Sequence, residues 1–308
     1  MLKCPDTMQV TPDIILGSTI GLIGSALYAF SVVVYRSQAD AASPIVVSAI
    51  KMWVALPFMV IMTILLPGIE SAFLPMYTIL LLSSSVLLGA VIGDTIYLWS
   101  QARIGVSYAF PIAMSFPILT FFMTVGFLGE SFILSRLVGA IIAVIGIILI
   151  SNEQNRSQRN TAAHGSMDLI GILGAILTAI LYAAGTTVLQ VGIEGVDPIA
   201  GNLVRVVVGS VAFLPLVAVV AAGETKIPSR KATIRVIIAG FFGMAVGSLL
   251  YVTSVAMAGA TIISVISSTA PLFAVPVSIF FLKERLTKIA GLGILATIIG
   301  VVLVVVGL

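Results

Sequence analysis

Charge is scarce in this chain. Only 9% of its 308 residues are Asp, Glu, Lys or Arg, against about a quarter in an ordinary soluble domain. Hydrophobic residues make up 60%, and the mean hydropathy is +1.23. No soluble core of this size hides so much apolar surface, so the bilayer is the solvent. Cysteine and histidine are nearly missing too. The lone Cys4 excludes an intrachain disulfide and a cysteine metal site, and the lone His164 excludes a histidine cluster. The net charge of +3 comes with no basic face and no interleaved aromatics, so nucleic acid is not a partner. Catalytic signatures are absent as well. There is no HExxH, no nucleophile and base at membrane depth, and Val91 spoils the Gly-x-Gly-Asp of intramembrane aspartyl proteases. Without a Gly-x4-Gly-Lys-Ser/Thr loop, energy must come from a gradient or an exchange. The chain reads as a non-enzyme with no cofactor.

What is present is length in apolar runs. A helix needs about 20 apolar residues to cross the hydrocarbon core. Runs near 14–34, 44–66, 77–99, 106–128 and 133–151 meet that, then a polar stretch, then runs near 168–190, 198–222, 233–254, 260–282 and 287–307. The opening "MLKCPDTMQVTPD" makes a poor signal peptide, so the first run is expected to stay as a helix. The organisation expected is a repeat at 14–151, a linker at 152–167 and a repeat at 168–307.

A shift of 154 residues carries one half onto the other. It pairs Pro117 with Pro271, Glu130 with Glu284, Tyr28 with Tyr182, Tyr97 with Tyr251 and Lys51 with Arg205. Gly89, Gly93, Gly105, Gly139 and Gly146 fall on Gly243, Gly247, Gly259, Gly293 and Gly300. Matches of rare residues at one fixed offset signal an internal duplication. Because five spans is an odd number, the halves enter the membrane from opposite sides. The fold class expected is therefore an all-α membrane protein of ten transmembrane helices in two inverted repeats, a construction recurrent in secondary transporters.

The repeated segment, "SFPILTFFMTVGFLGE" at 115–130 and "TAPLFAVPVSIFFLKERL" at 269–286, ends in a Gly-rich helix in both halves. It resembles the EamA-type signature of the drug/metabolite transporter superfamily. The first copy departs from it, with "GESFIL" where Glu-Arg-Leu is usual. The resemblance implies that the first four helices of each half surround a central cavity while the fifth and tenth lie outside. It also implies a multi-pass protein of the cell membrane, plasma or inner, that exports a small polar or amphipathic metabolite. A lipid-precursor flippase and a non-transporting scaffold or sensor are the alternatives. For sidedness two arguments disagree. Lys and Arg counts place both termini outside, whereas the resemblance implies that both are cytoplasmic.

Three ionisable residues lie well inside spans, and burying charge there is costly enough to make each a functional candidate. Lys51 and Arg205 each stand seven residues after a span-opening proline, about 10 Å into the core. They could meet a substrate or snorkel back to the interface. Asn202, one turn before Arg205, extends its polar face. Asp94 has Ser248 as its repeat partner, and could bind a proton or simply neutralise Lys51. Tyr28, Tyr182, Tyr97 and Tyr251 suit a cavity for an amphipathic solute. Pro117 and Pro271 each free a backbone carbonyl, and the hydroxyls of Ser115, Ser267 and Thr269 stand ready to line a cavity there. Glu130 and Glu284 are expected to act at helix ends. The glycines seven apart, Gly139/Gly146 and Gly293/Gly300, permit close helix packing, and the same face could seat a second copy as a homodimer. The partners expected are thus the bilayer, a small-molecule substrate and, through that face, a second copy.

Overall fold

The computed structural model describes residues 11–37, 43–158, 168–222, 229–273 and 287–307. All of their regular structure is helical. In the first half, α1 is Pro12–Arg36 and α2 is Pro44–Leu65. The third span, α3, joins Met76–Val86, a π-helical stretch Leu87–Gly93 and Asp94–Ile104. The fourth, α4, is broken into Val106–Ala113 and Phe116–Leu128, and α5 is Leu134–Gln158. In the second half, α6 is Leu169–Ile193 and α7 is Pro198–Ala222. Next comes α8, with Arg230–Gly240, a π-helical stretch Phe241–Val246 and the residues from Gly247 to the break at Gly259. The described part of α9 follows that break, and α10 is Lys288–Val306. Nine continuous runs among the described residues are long and apolar enough to cross a membrane; the longest, Arg230–Ser268, holds two spans divided at Gly259. The helix α5 runs on to Gln158 through polar sequence, past the apolar run read near 133–151.

The duplication is visible in irregularities, not only in helices. The two π-helical stretches lie one repeat apart, and so do Gly105 (φ 78°, ψ 159°) and Gly259 (φ 81°, ψ 164°). That backbone region is open essentially to glycine alone, and it lets the next helix begin one residue after the last one stops. The proline breaks repeat as well. Ser115 Oγ donates to the Ile112 carbonyl at 2.7 Å, and Thr269 Oγ1 donates to the Ile266 carbonyl at 2.6 Å. Instead of a kinked helix around Pro117, the chain makes a turn at 114–115 and starts afresh, with the proline in the first turn where its missing N–H costs nothing.

The halves do not sit side by side. The helix α1 packs on α8 and α9, α6 packs on α3 and α4, α2 on α7, and α5 on α10. Lipid gives helices no hydrophobic reason to associate, so these contacts rest on close packing. The α5–α10 seam is the closest. A Cβ at Gly146 would lie 2.6 Å from the Gly293 carbonyl oxygen, and one at Gly300 would lie 2.5 Å from that of Gly139. The glycine faces that could have seated a second copy are thus used within the chain.

Candidate substrate pathway

In the first half, the π-helical stretch ends where Asp94 begins the next α-helical segment. Lys51 Nζ of α2 meets Asp94 Oδ2 at 2.9 Å. Tyr182 of α6 donates its hydroxyl to Asp94 Oδ1 at 2.7 Å. Lys51 is only 9% exposed, so it pairs within the bundle and does not snorkel. Phe116, beside the α4 break, packs edge-to-face with the Tyr182 ring, centroids 5.8 Å apart. Tyr28 and Tyr35 of α1 lie within electrostatic reach of Asp94, and Tyr97 of α3 lies within reach of Tyr182. Three tyrosines, Tyr28, Tyr35 and Tyr182, therefore lie within reach of one ion pair, and Tyr28 keeps 44% of its surface accessible.

The second half builds a different network from matching positions. Arg205 of α7, also 9% exposed, has Nη1 3.4 Å from Asn202 Oδ1. Asn202 Nδ2 donates to Ser248 Oγ at 2.9 Å. The guanidinium carbon lies 5.9 Å from the centre of the Tyr251 ring. The Tyr251 hydroxyl and Thr186 Oγ1 of α6 are 2.9 Å apart. Thr186 Oγ1 also lies 2.8 Å from the Tyr182 carbonyl one turn earlier, to which it donates, so it accepts from Tyr251. The two networks are thereby joined through α6 into a single polar track from Lys51 to Arg205.

The proline-associated hydroxyls stay outside this track. Ser115, Ser267 and Thr269 all donate to carbonyls of their own helix, and Pro117 and Pro271 are buried. Glu130 accepts from Gln190 Nε2 at 2.7 Å and Thr261 Oγ1 at 3.2 Å. Gln190 in turn accepts from the Ala260 N–H just past the Gly259 break, so this carboxylate braces a helix start. Glu284 lies outside the described residues. A cavity of about 310 Å³ adjoins Glu130, lined also by Thr11, Asp13, Arg136, Gly259 and Thr261. That void and the polar track do not coincide.

The profile of the EamA-like transporter family matches residues 15–152 and again 169–306. The chain belongs to the EamA-like transporter family. It is a multi-pass membrane transporter of the cell membrane, all-helical and built of two repeats. An uncharacterized transporter of Archaeoglobus fulgidus is 24% identical over 242 residues, covering 77% of this chain and 78% of that one. The uncharacterized transporter YdfC of Bacillus subtilis is 30% identical over 127 residues, 41% of this chain and 40% of its own. One solved crystal structure superposes with a TM-score of 0.77 at 13% identity, covering 94% of this chain and 97% of the other. That likeness shows a shared fold.

Sequence reasoning missed Tyr35, Thr186 and Gln190 in this family member. Tyr35 and Gln190 fall opposite Leu189 and Arg36 in the repeat, and Thr186 falls opposite Val32. A search for matching polar pairs passes over Tyr35 and Thr186, which face apolar residues, and finds Gln190 only as an unlike pair with Arg36. Positions where the two repeats differ in polarity or charge were the available signal, and that comparison singled out Asp94.

Proposed function

We propose that the chain is a secondary active transporter, acting as an exporter, that moves a small polar or amphipathic metabolite by alternating access. The polar track along α6 supports this most. Lys51, Asp94, Tyr182, Thr186, Tyr251 and Arg205 run through membrane depth, where polar groups are costly and mark solute pathways. The two charged ends of the track are each 9% exposed or little more, so a solute reaches them only if the bundle opens. The paired π-helical stretches and the paired Gly105 and Gly259 breaks give each half matching places to bend. Asp94, with one oxygen on Lys51 and the other on Tyr182, acts in this reading as the counter-ion of Lys51, not as a proton carrier.

Alternating access is tested with one thiol. In a Cys4→Ser background, Tyr28→Cys is expected to react with a membrane-impermeant maleimide added to either face of sealed vesicles. Labelling from one face only would mean a static vestibule and would sink the alternating-access reading.

A further inference from the structure

Arg205 is the cation that its surroundings leave unanswered. A guanidinium offers five N–H donors. Here one of them reaches Asn202 Oδ1, at the long distance of 3.4 Å. Nε is buried and meets no hydrogen-bond partner among the described residues. The ion pairs among those residues are Lys51–Asp94 and Arg103–Asp168, so Arg205 has no carboxylate within salt-bridge distance there. Where the first half has Asp94, the second has Ser248, which is engaged by Asn202. A buried cation without an anionic partner is destabilising, and a bound anion removes that cost. The planar fork of Arg matches a carboxylate or phosphate with two parallel hydrogen bonds. The Tyr251 ring beside it offers an apolar wall for the rest of a small solute.

At the other end of the track the chemistry is closed. Both Asp94 oxygens accept hydrogen bonds, one from a cation of the chain itself, so an incoming organic cation would have to displace Lys51. The track as a whole carries one positive charge more than negative.

Resting on the transporter reading above, we infer that Arg205 receives the oxyanion of the transported solute, and that the substrate class is organic anions, carboxylates or phosphates. Asn202 and Tyr251 position the guanidinium.

Thermal unfolding of the full chain in lipid nanodiscs tests this. The probes are lactate and benzoate as carboxylates, inorganic phosphate and glucose 6-phosphate as phosphates, tetraphenylphosphonium as a cation, and glucose as a neutral control. One of the two anion arms is expected to raise the melting temperature, and which one identifies the oxyanion. Arg205→Gln is expected to abolish the rise. Arg205→Lys, lacking the fork, is expected to weaken binding by at least about tenfold, the equivalent of one charge-assisted hydrogen bond. A second measurement needs no ligand. Arg205→Met, which replaces an unanswered charge by an apolar chain, is expected to melt no lower than the wild type. A lower melting temperature for Arg205→Met would make Arg205 a structural residue and overturn the inference. So would stabilisation by tetraphenylphosphonium alone, an anion effect that survives Arg205→Gln, or no shift with either anion arm. Counterflow in liposomes separates the two claims. Protein-dependent flux of glucose keeps the transporter and removes the oxyanion site, whereas an anion that binds through Arg205 yet never crosses keeps the site and removes transport.

Discussion

Lys51 and Arg205 stand at the same place in two copies of one five-helix unit, yet their situations are opposite. Lys51 finds Asp94 at 2.9 Å, and Asp94 has Tyr182 on its other oxygen. Arg205 finds an amide, a ring face and a serine hydroxyl at one remove. The backbones around them agree down to the π-helical stretches and the positive-φ glycines. The duplicated frame is thus kept symmetric where helices bend and pack, and at membrane depth it is broken at Asp94, whose counterpart is Ser248. In a low-dielectric interior that one substitution turns a neutral pair into a net charge. Its two consequences are a stabilising contact in one half and a vacant coordination demand in the other.

Breaking the first half should have the largest effect. Lys51→Met leaves Asp94 buried without its cation, and the expected loss is about 3–5 kcal/mol. Adding Asp94→Leu to it should return most of that loss, because both charges are then gone; melting curves of the two variants check this. Gly146→Val should come next. Its first side-chain atom alone meets Thr297 Oγ1 and the facing backbone, and prying the α5–α10 seam apart is expected to cost about 3 kcal/mol in the same assay. Tyr182→Phe removes a hydrogen bond to a carboxylate, and about 1.5–3 kcal/mol is expected, with the lower end favoured if Lys51 moves in. Ser248→Asp sharpens the comparison by giving Arg205 the partner its counterpart has. Stability should rise while stabilisation by anions disappears; retained anion binding would show that the two halves do not differ by this charge alone. The smallest effect lies outside the spans, at Asp168, which caps α6 and is bonded to Arg103. The hydrogen bond from Arg103 holds this carboxyl below its usual range. Its contribution to stability is present in full above about pH 4 and is lost as the pH falls through the lowered value. A shallow loss of melting temperature below that pH, absent in Asp168→Asn, is the expected outcome.

Much of the frame is legible in the residues because the duplication repeats its rare letters. Gly105 and Gly259, Pro117 and Pro271, and Tyr28 and Tyr182 announce two copies of one unit. Hydropathy alone then counts the spans. What remains hidden is which span touches which. Nothing in the runs of apolar residues says that α6 leaves its own half to pack on α3 and α4, so the meeting of Tyr182 with Asp94 cannot be read from either segment. For the same reason Asp94 stays, on sequence grounds, between neutralising Lys51 and carrying a proton. The proline breaks mislead in another way. Serine and threonine beside a proline suggest a polar lining, but a hydroxyl three residues from a carbonyl on its own helix finds it first.

The seam between α5 and α10 bears on how the chain is made. Translation delivers α5 to the bilayer while α10 is still unwritten, and every residue of α6 to α9 has to be synthesised before the groove over Gly139 and Gly146 can be filled. Until then lipid tails lie against a notched helix whose matching surface does not yet exist. A ribosome that stalls after α9 therefore releases a product with a recognisable scar, an uncovered glycine face on α5. Cellular proteases and membrane chaperones have there a simple physical mark by which to tell an unfinished copy from a finished one.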